Sequence, residues 1–161
     1  MGALRIAILT SSDTRAAGAA EDTSGKALQS LAEGRGWTVV AYEVVPDELD
    51  VIGRTLVRMA DEDGADVILT TGGTGIGPRD VCPEATLAIA DREVPGIGEA
   101  IRSMSRAITD RAMLSRGTAG QRGSTLIVNL PGSEKAVRES FAFVGGVLEH
   151  AVEMMAGGGH S

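Results

Sequence analysis

The chain has 161 residues, with 15 Lys plus Arg against 22 Asp plus Glu for a net charge of −7, and 43% of its residues are hydrophobic. That suits one globular domain, residues 1–161, and excludes a disordered chain; the single cysteine excludes an internal disulfide and a cysteine-rich zinc site. Net acidity, and aromatics limited to Trp37, Tyr42, Phe141 and Phe143, argue against a nucleic-acid partner, which would need a basic face or a stacking platform.

The opening apolar stretch is broken by Arg5 and ends by Thr10, too short for a signal-peptide core or a membrane span. Met1–Gly2 lacks the later hydroxyl of a myristoylation site, because Ile6 stands there. The expectation is a cytoplasmic protein with no membrane partner.

Leu4–Leu9 reads as a buried strand, followed by turn residues Thr10–Asp13. Asp22–Gly25 can start a helix with an apolar stripe of Ala27, Leu28, Leu31 and Ala32, ended by Gly34 and Gly36. Thr38–Val45 is a second strand. Pro46–Asp47–Glu48 opens a helix carrying Val51, Ile52, Leu56, Val57 and Ala60, with acidic residues where a helix N-terminus favours them. Val67–Thr71 is a third strand. A helix begins at Pro83–Glu84 and reaches about Asp91, and another covers Gly98–Ile108. Thr125–Leu130 is a fourth strand. Ser133 then caps a long helix with Val137, Phe141, Val144, Leu148 and Val152 on one face, and the tail 157–161 is frayed.

Alternating strands and helices, with the strands as continuous apolar runs, predict an α/β fold: a three-layer αβα sandwich around a mostly parallel sheet. Ligands of such folds sit beyond the carboxyl ends of the strands. The loops after Leu9, Val45, Thr71 and Leu130 are therefore the places to look for a site.

Directly after the third strand comes Gly72–Gly73–Thr74–Gly75–Ile76–Gly77–Pro78–Arg79–Asp80. Such a loop can turn its N–H groups into an anion-binding nest, with Thr71, Thr74 and Arg79 beside it, or can be a tight turn with no ligand. It is not a Walker A loop, which needs Gly-Lys-Ser/Thr at its end, and both registers of the dinucleotide fingerprint fail, at Pro78 and at Thr74. His150 and His160 read as structural or incidental, and Cys82 as a buried, inert thiol, so no His-based catalytic constellation can be assembled. Asp47 and Asp80 belong to the same ligand-bearing edge. Two carboxylates beside a phosphate site repel the anion unless a metal intervenes, which points to Mg²⁺; taken singly, they read as a helix N-terminal charge and a turn or cap. Asn129, the Pro131–Gly132–Ser133 turn, Ser115 and Arg116 are further polar candidates, though an ordinary strand-to-helix turn also explains Asn129–Ser133.

These segments together resemble the MoaB/Mog family of molybdenum-cofactor proteins. The resemblance is carried by Thr70–Gly75 with Pro78–Arg79–Asp80, by Pro83–Leu87, Asp91–Gly96 and Met113–Arg116, and by Asn129–Ser133, with Ser12–Asp13 and Asp22–Thr23–Ser24–Gly25 at the N-terminal end. It spans about Leu4 to Val152. One departure is Thr14, where many members carry Arg directly after the aspartate.

The resemblance implies a trimer that takes molybdopterin and ATP as substrates, with Mg²⁺, transfers AMP to the terminal phosphate of molybdopterin and releases pyrophosphate. It maps the family's two important aspartates onto Asp47 and Asp80, as catalytic and metal-binding residues. Substrate contacts are expected from Ser12, Asp13, Ser24, Thr71, Gly72, Gly73, Thr74, Gly75, Arg79, Ser115, Arg116, Asn129, Pro131, Gly132 and Ser133. Fused relatives carry extra domains for molybdate insertion that this sequence is expected to lack, so only the adenylylation step is expected of it, with hand-over to a molybdate-insertion protein as an expected partner step. The alternatives are a non-catalytic pterin-binding or scaffold protein of the MoaB type, and an unrelated nucleotide-binding oxidoreductase.

Overall fold

The computed structural model describes residues 2–158. Its strands are β1 (Arg5–Ser11), β2 (Thr38–Val45), β3 (Val67–Thr71), β4 (Arg92–Glu93), β5 (Ala119–Arg122) and β6 (Thr125–Leu130). The helices are α1 (Asp13–Ala16), α2 (Thr23–Gly34), α3 (Leu49–Asp61), α4 (Cys82–Ile89), α5 (Pro95–Ser105) and α6 (Glu134–Met155), with a 3₁₀ turn at Asp110–Leu114. The strands form one sheet in the order β2-β1-β3-β6-β5-β4. β2, β1, β3 and β6 run parallel, and β5 and β4 add an antiparallel edge.

Each central strand sends alternate side chains to opposite faces. Ile6, Ile8, Val67, Leu69, Leu126 and Val128 pack toward α2, α5 and α6, together with Leu28, Ile101, Val137, Phe141, Val144 and Leu148. Ala7, Leu9, Ile68 and Ile127 pack the other way, against Ile52, Leu56 and Met59 of α3 and Cys82 and Ala85 of α4. Buried on both faces, these strands are mostly apolar, which is why they read as short continuous runs, with their polar residues Thr10, Ser11, Thr70, Thr71 and Asn129 gathered toward the carboxyl ends. Among the described residues no helix is long and apolar enough to cross a membrane.

Several boundaries differ from the sequence expectation, each for a local reason. β1 continues to Ser11, because Thr10 pairs in register with Thr71 and Ser11 with Val45. The helix expected to open at Pro46 starts at Leu49, since Asp47 is drawn out of the helical path by hydrogen bonds with Ser11 at the end of β1 and Asp13 at the start of α1. The helix expected at Gly98–Ile108 spans Pro95–Ser105; proline fits a first helical turn, where its missing N–H costs nothing. β4, β5 and α1 were not anticipated. Ala156 caps α6 and Gly157 turns the chain there; the rest of the expected frayed tail, 159–161, and His160 lie outside the described residues.

Candidate active site

The parallel strands end together at one edge, where the β3 loop is gripped from three sides. Gly72 (φ +91°) and Gly73 (φ +68°) adopt left-handed conformations, and a Cβ on Gly72 would lie closer than 3.0 Å to the Ser11 carbonyl oxygen. Only glycine lets the loop pass that near β1. Thr71 Oγ1 donates to the Pro131 carbonyl at 2.5 Å, and the Gly72 amide donates to Leu130 O at 3.3 Å, so the loops after β3 and β6 are tied together. Gly132 packs on the Gly72 backbone. Beyond Gly72, the amides of Gly73, Thr74 and Gly75 make no hydrogen bond within the described residues. Free N–H groups in a turn, one of them on a buried threonine, are the donors of an anion nest.

The two predicted carboxylates flank this turn. Asp47 Oδ1 accepts from Ser11 Oγ at 2.5 Å and would lie 3.6 Å from a Cβ on Gly73. Asp80 lies on the other side: its Oδ2 accepts the Gly77 amide at 2.9 Å and borders Gly75. Asp13 and Asp47 exchange hydrogen bonds, each backbone N–H donating to the other's carboxylate at 3.0 Å. Arg79 then clamps Asp13 from outside, through Nε at 3.0 Å and Nη2 at 2.8 Å. That guanidinium, followed by the Asp47 amide, holds the Asp13 carboxyl below the usual aspartate range.

Arg116 and Asn129, both expected at the ligand, are engaged within the protein. Arg116 Nε donates to Gly75 O at 2.8 Å, Nη2 to Asp80 O at 2.7 Å and Nη1 to Glu84 at 2.5 Å. The residue thereby staples the glycine loop into its curve; its guanidinium lowers the Glu84 pKa through the same bond. Asn129 is 2% exposed. Its amide group donates to Thr70 and Thr86 hydroxyls at 3.0 Å each, while its Oδ1 accepts the Thr118 amide at 3.2 Å. Cys82 is buried beneath the loop with its thiol pushed up to about 11, chiefly by loss of hydration.

The remaining candidates cap or brace the edge. Ser12 caps α1 and Ser133 caps α6, each accepting a backbone N–H at 3.2 Å. Ser115 Oγ accepts the Gly117 amide, and Ser24 accepts from Arg15. Sequence reasoning did not single out Ser11, Asp22 or Tyr42. Asp22 is nearly buried and accepts from Thr10 Oγ1 at 2.8 Å, the Gly25 amide at 3.1 Å, Tyr42 OH and Arg15. The advance signals for Asp22 were its helix N-cap position and its place in the Asp22–Gly25 segment of the family resemblance.

Among the described residues, no group of three or more His, Cys, Asp or Glu side chains converges on a metal-sized point. The donor set therefore does not suit a resident ion held by protein alone. It does suit Mg²⁺ that arrives with a polyphosphate and keeps most of its waters, for which one or two carboxylates suffice. Two apolar grooves flank the sheet: one of 430 Å³ runs along α3 and α4 from Leu49 to Glu62, and one of 450 Å³ lies between β4 and α6.

A family model described as "Probable molybdopterin binding domain" matches residues 7–150. The molybdopterin adenylyltransferase of Helicobacter pylori is 39% identical over 98% of this chain and 90% of its own length. The Drosophila melanogaster molybdenum cofactor synthesis protein cinnamon is 45% identical over 96% of this chain but only 26% of itself. In structure, the molybdopterin biosynthesis enzyme MoaB of Thermus thermophilus superposes with a TM-score of 0.89 at 49% identity, covering 96% of this chain and 97% of that one. With its sheet, its glycine loop and nearly its whole length accounted for in this way, the chain belongs to the molybdopterin-binding domain family.

Proposed function

We propose that the protein is a molybdopterin adenylyltransferase, transferring AMP from ATP to the terminal phosphate of molybdopterin and releasing pyrophosphate. The observation that carries this reading is the set of free Gly73, Thr74 and Gly75 amides with Asp47 and Asp80 on either side. Sequence likeness to proteins named for that activity supports it.

The chemistry asks little covalent work of the protein. An oxygen of the molybdopterin phosphate, already ionised at neutral pH, attacks the α-phosphorus of ATP. The bond from that phosphorus to its bridging oxygen breaks, and pyrophosphate leaves with the electron pair. Catalysis is then positioning and charge neutralisation. The loop amides bind phosphate oxygens, and Asp47 and Asp80 orient the substrates and would hold Mg²⁺. Bound there, the ion neutralises phosphate charge. Ser11 and Asp13 fix the Asp47 carboxylate, and Arg116 fixes the backbone that carries Asp80.

The same reading makes the protein a cytoplasmic homotrimer that passes its product to a molybdate-insertion protein. Exposed Met104, Ile108, Met113 and Leu114, at 46–58%, supply apolar surface for subunit contact.

Incubation with molybdopterin and labelled Mg-ATP tests the proposal. Stoichiometric pyrophosphate and adenylylated pterin are expected; bound molybdopterin with no pyrophosphate would leave a pterin-binding protein. In Asp80→Asn the amide oxygen can still accept the Gly77 N–H, so the loop keeps its shape. That variant should lose on the order of 10²-fold or more in turnover while still binding molybdopterin, and retained turnover would contradict the role given to Asp80.

A further inference from the structure

The reaction brings several negative phosphates to an edge that already carries Asp13, Asp47 and Asp80, so a side-chain cation there would add to the neutralisation that the loop amides and Mg²⁺ provide. Arg79 is committed bidentately to Asp13, and all three nitrogens of Arg116 are bonded to the loop and Glu84. Lys135, in the first turn of α6, is exposed and has no ion pair among the described residues. Arg15 is different. Its Nη1 donates to Ser24 Oγ at 2.5 Å, with Asp22 Oδ1 at 3.3 Å and the Gly132 carbonyl at 3.4 Å. Its Nε and Nη2 make no hydrogen bond within the described residues, and the side chain stays 20% exposed.

We propose that Arg15 is the cation that binds a substrate phosphate group beside the glycine loop; the identity of that substrate rests on the adenylyltransferase reading. The Gly132 carbonyl that Arg15 contacts belongs to the residue packed on Gly72, so the guanidinium stands where the loops after β3 and β6 meet. Asp22 reaches the guanidinium only through Nη1, at 3.3 Å, and spreads its lone pairs over Thr10, Tyr42 and Gly25 as well, so the Nε and Nη2 edge stays open to a further acceptor. Anchoring through one nitrogen holds the side chain in place, and the planar fork leaves Nε and Nη2 side by side, the pair that matches two phosphate oxygens. Lysine cannot reproduce this, since its ammonium is a single point of charge.

Binding of Mg-ATP and of molybdopterin is measured separately by calorimetry on the wild type, Arg15→Lys, Ser24→Ala and Lys135→Met. Arg15→Lys keeps a positive charge against Asp22 and should weaken one arm by about tenfold. Ser24→Ala, which loosens the guanidinium without removing it, should weaken the same arm by about threefold. Loss on the ATP arm assigns a nucleotide phosphate, and loss on the molybdopterin arm assigns the pterin phosphate. Both arms unchanged in Arg15→Lys and Ser24→Ala, or the loss appearing in Lys135→Met instead, overturns the assignment. If the wild type releases no pyrophosphate yet Arg15→Lys loses binding, the reaction reading falls and this one stands; normal turnover with normal binding in Arg15→Lys is the reverse.

Discussion

The close approach of Gly72 to β1 can be measured as a difference between two substitutions. Gly18 and Gly72 both have positive φ, +76° and +91°, but a Cβ on Gly18 would meet nothing within 4 Å, while one on Gly72 would press on the Ser11 carbonyl. Gly18→Ala therefore carries backbone strain alone, about 1–2 kcal/mol. Gly72→Ala adds a clash with a backbone atom that cannot rotate aside, because Ser11 is held in register opposite Val45 and its neighbour Thr10 opposite Thr71. A total of about 3–4 kcal/mol is expected, allowing for partial relaxation. In a domain of this size that lowers Tm by roughly 6–16 °C, against roughly 2–8 °C for Gly18→Ala. Urea unfolding followed by circular dichroism gives both numbers, provided the m-value is unchanged. Should Gly72→Ala prove no more costly than Gly18→Ala, the Ser11 carbonyl yields freely, and contact with β1 does not set the loop.

Two titration experiments probe the surroundings of the same loop. With its thiol pushed up to about 11 by burial, only about a thousandth of Cys82 is thiolate at pH 8. Iodoacetamide should label it far more slowly in the native protein than in urea, and equal rates would show that the thiol is exposed. Asp13 titrates below its ordinary value of 3.8 because Arg79 holds its charged form. Its ion pair thus favours the folded state above that value, and the contribution is lost as pH falls through the folded pKa. Carboxyl NMR of Arg79→Gln should show Asp13 moving upward; an unmoved titration would deny the clamp.

What could be read in advance follows from where the information lies in the chain. β1, β3 and β6 were legible because their central positions, covered on both faces, form short apolar runs, and β2, at the sheet edge, through its valines. β5 and β4 were not: Ala119–Arg122 and Arg92–Glu93 have no strand pattern of their own, and they become strands by pairing in sequence along the edge of β6. Asp47, Asp80 and the glycines stood out through local spacing. Which arginine keeps unbonded nitrogens did not, since it depends on Asp13 lying against Arg79 and Glu84 against Arg116, 66 and 32 residues apart. The shifted start of α3 has the same origin, as Asp47 serves residues on β1 and α1 before it can serve its own helix.

The reciprocal bonds between Asp13 and Asp47 also bear on motion. Each of the two segments supplies both donor and acceptor to the other, so neither can swing open without breaking two links at once. They behave as a single rigid jamb. Across the glycine loop from that jamb, Ile76 protrudes at the tip of its turn, 69% exposed and held by no comparable pair of bonds among the described residues.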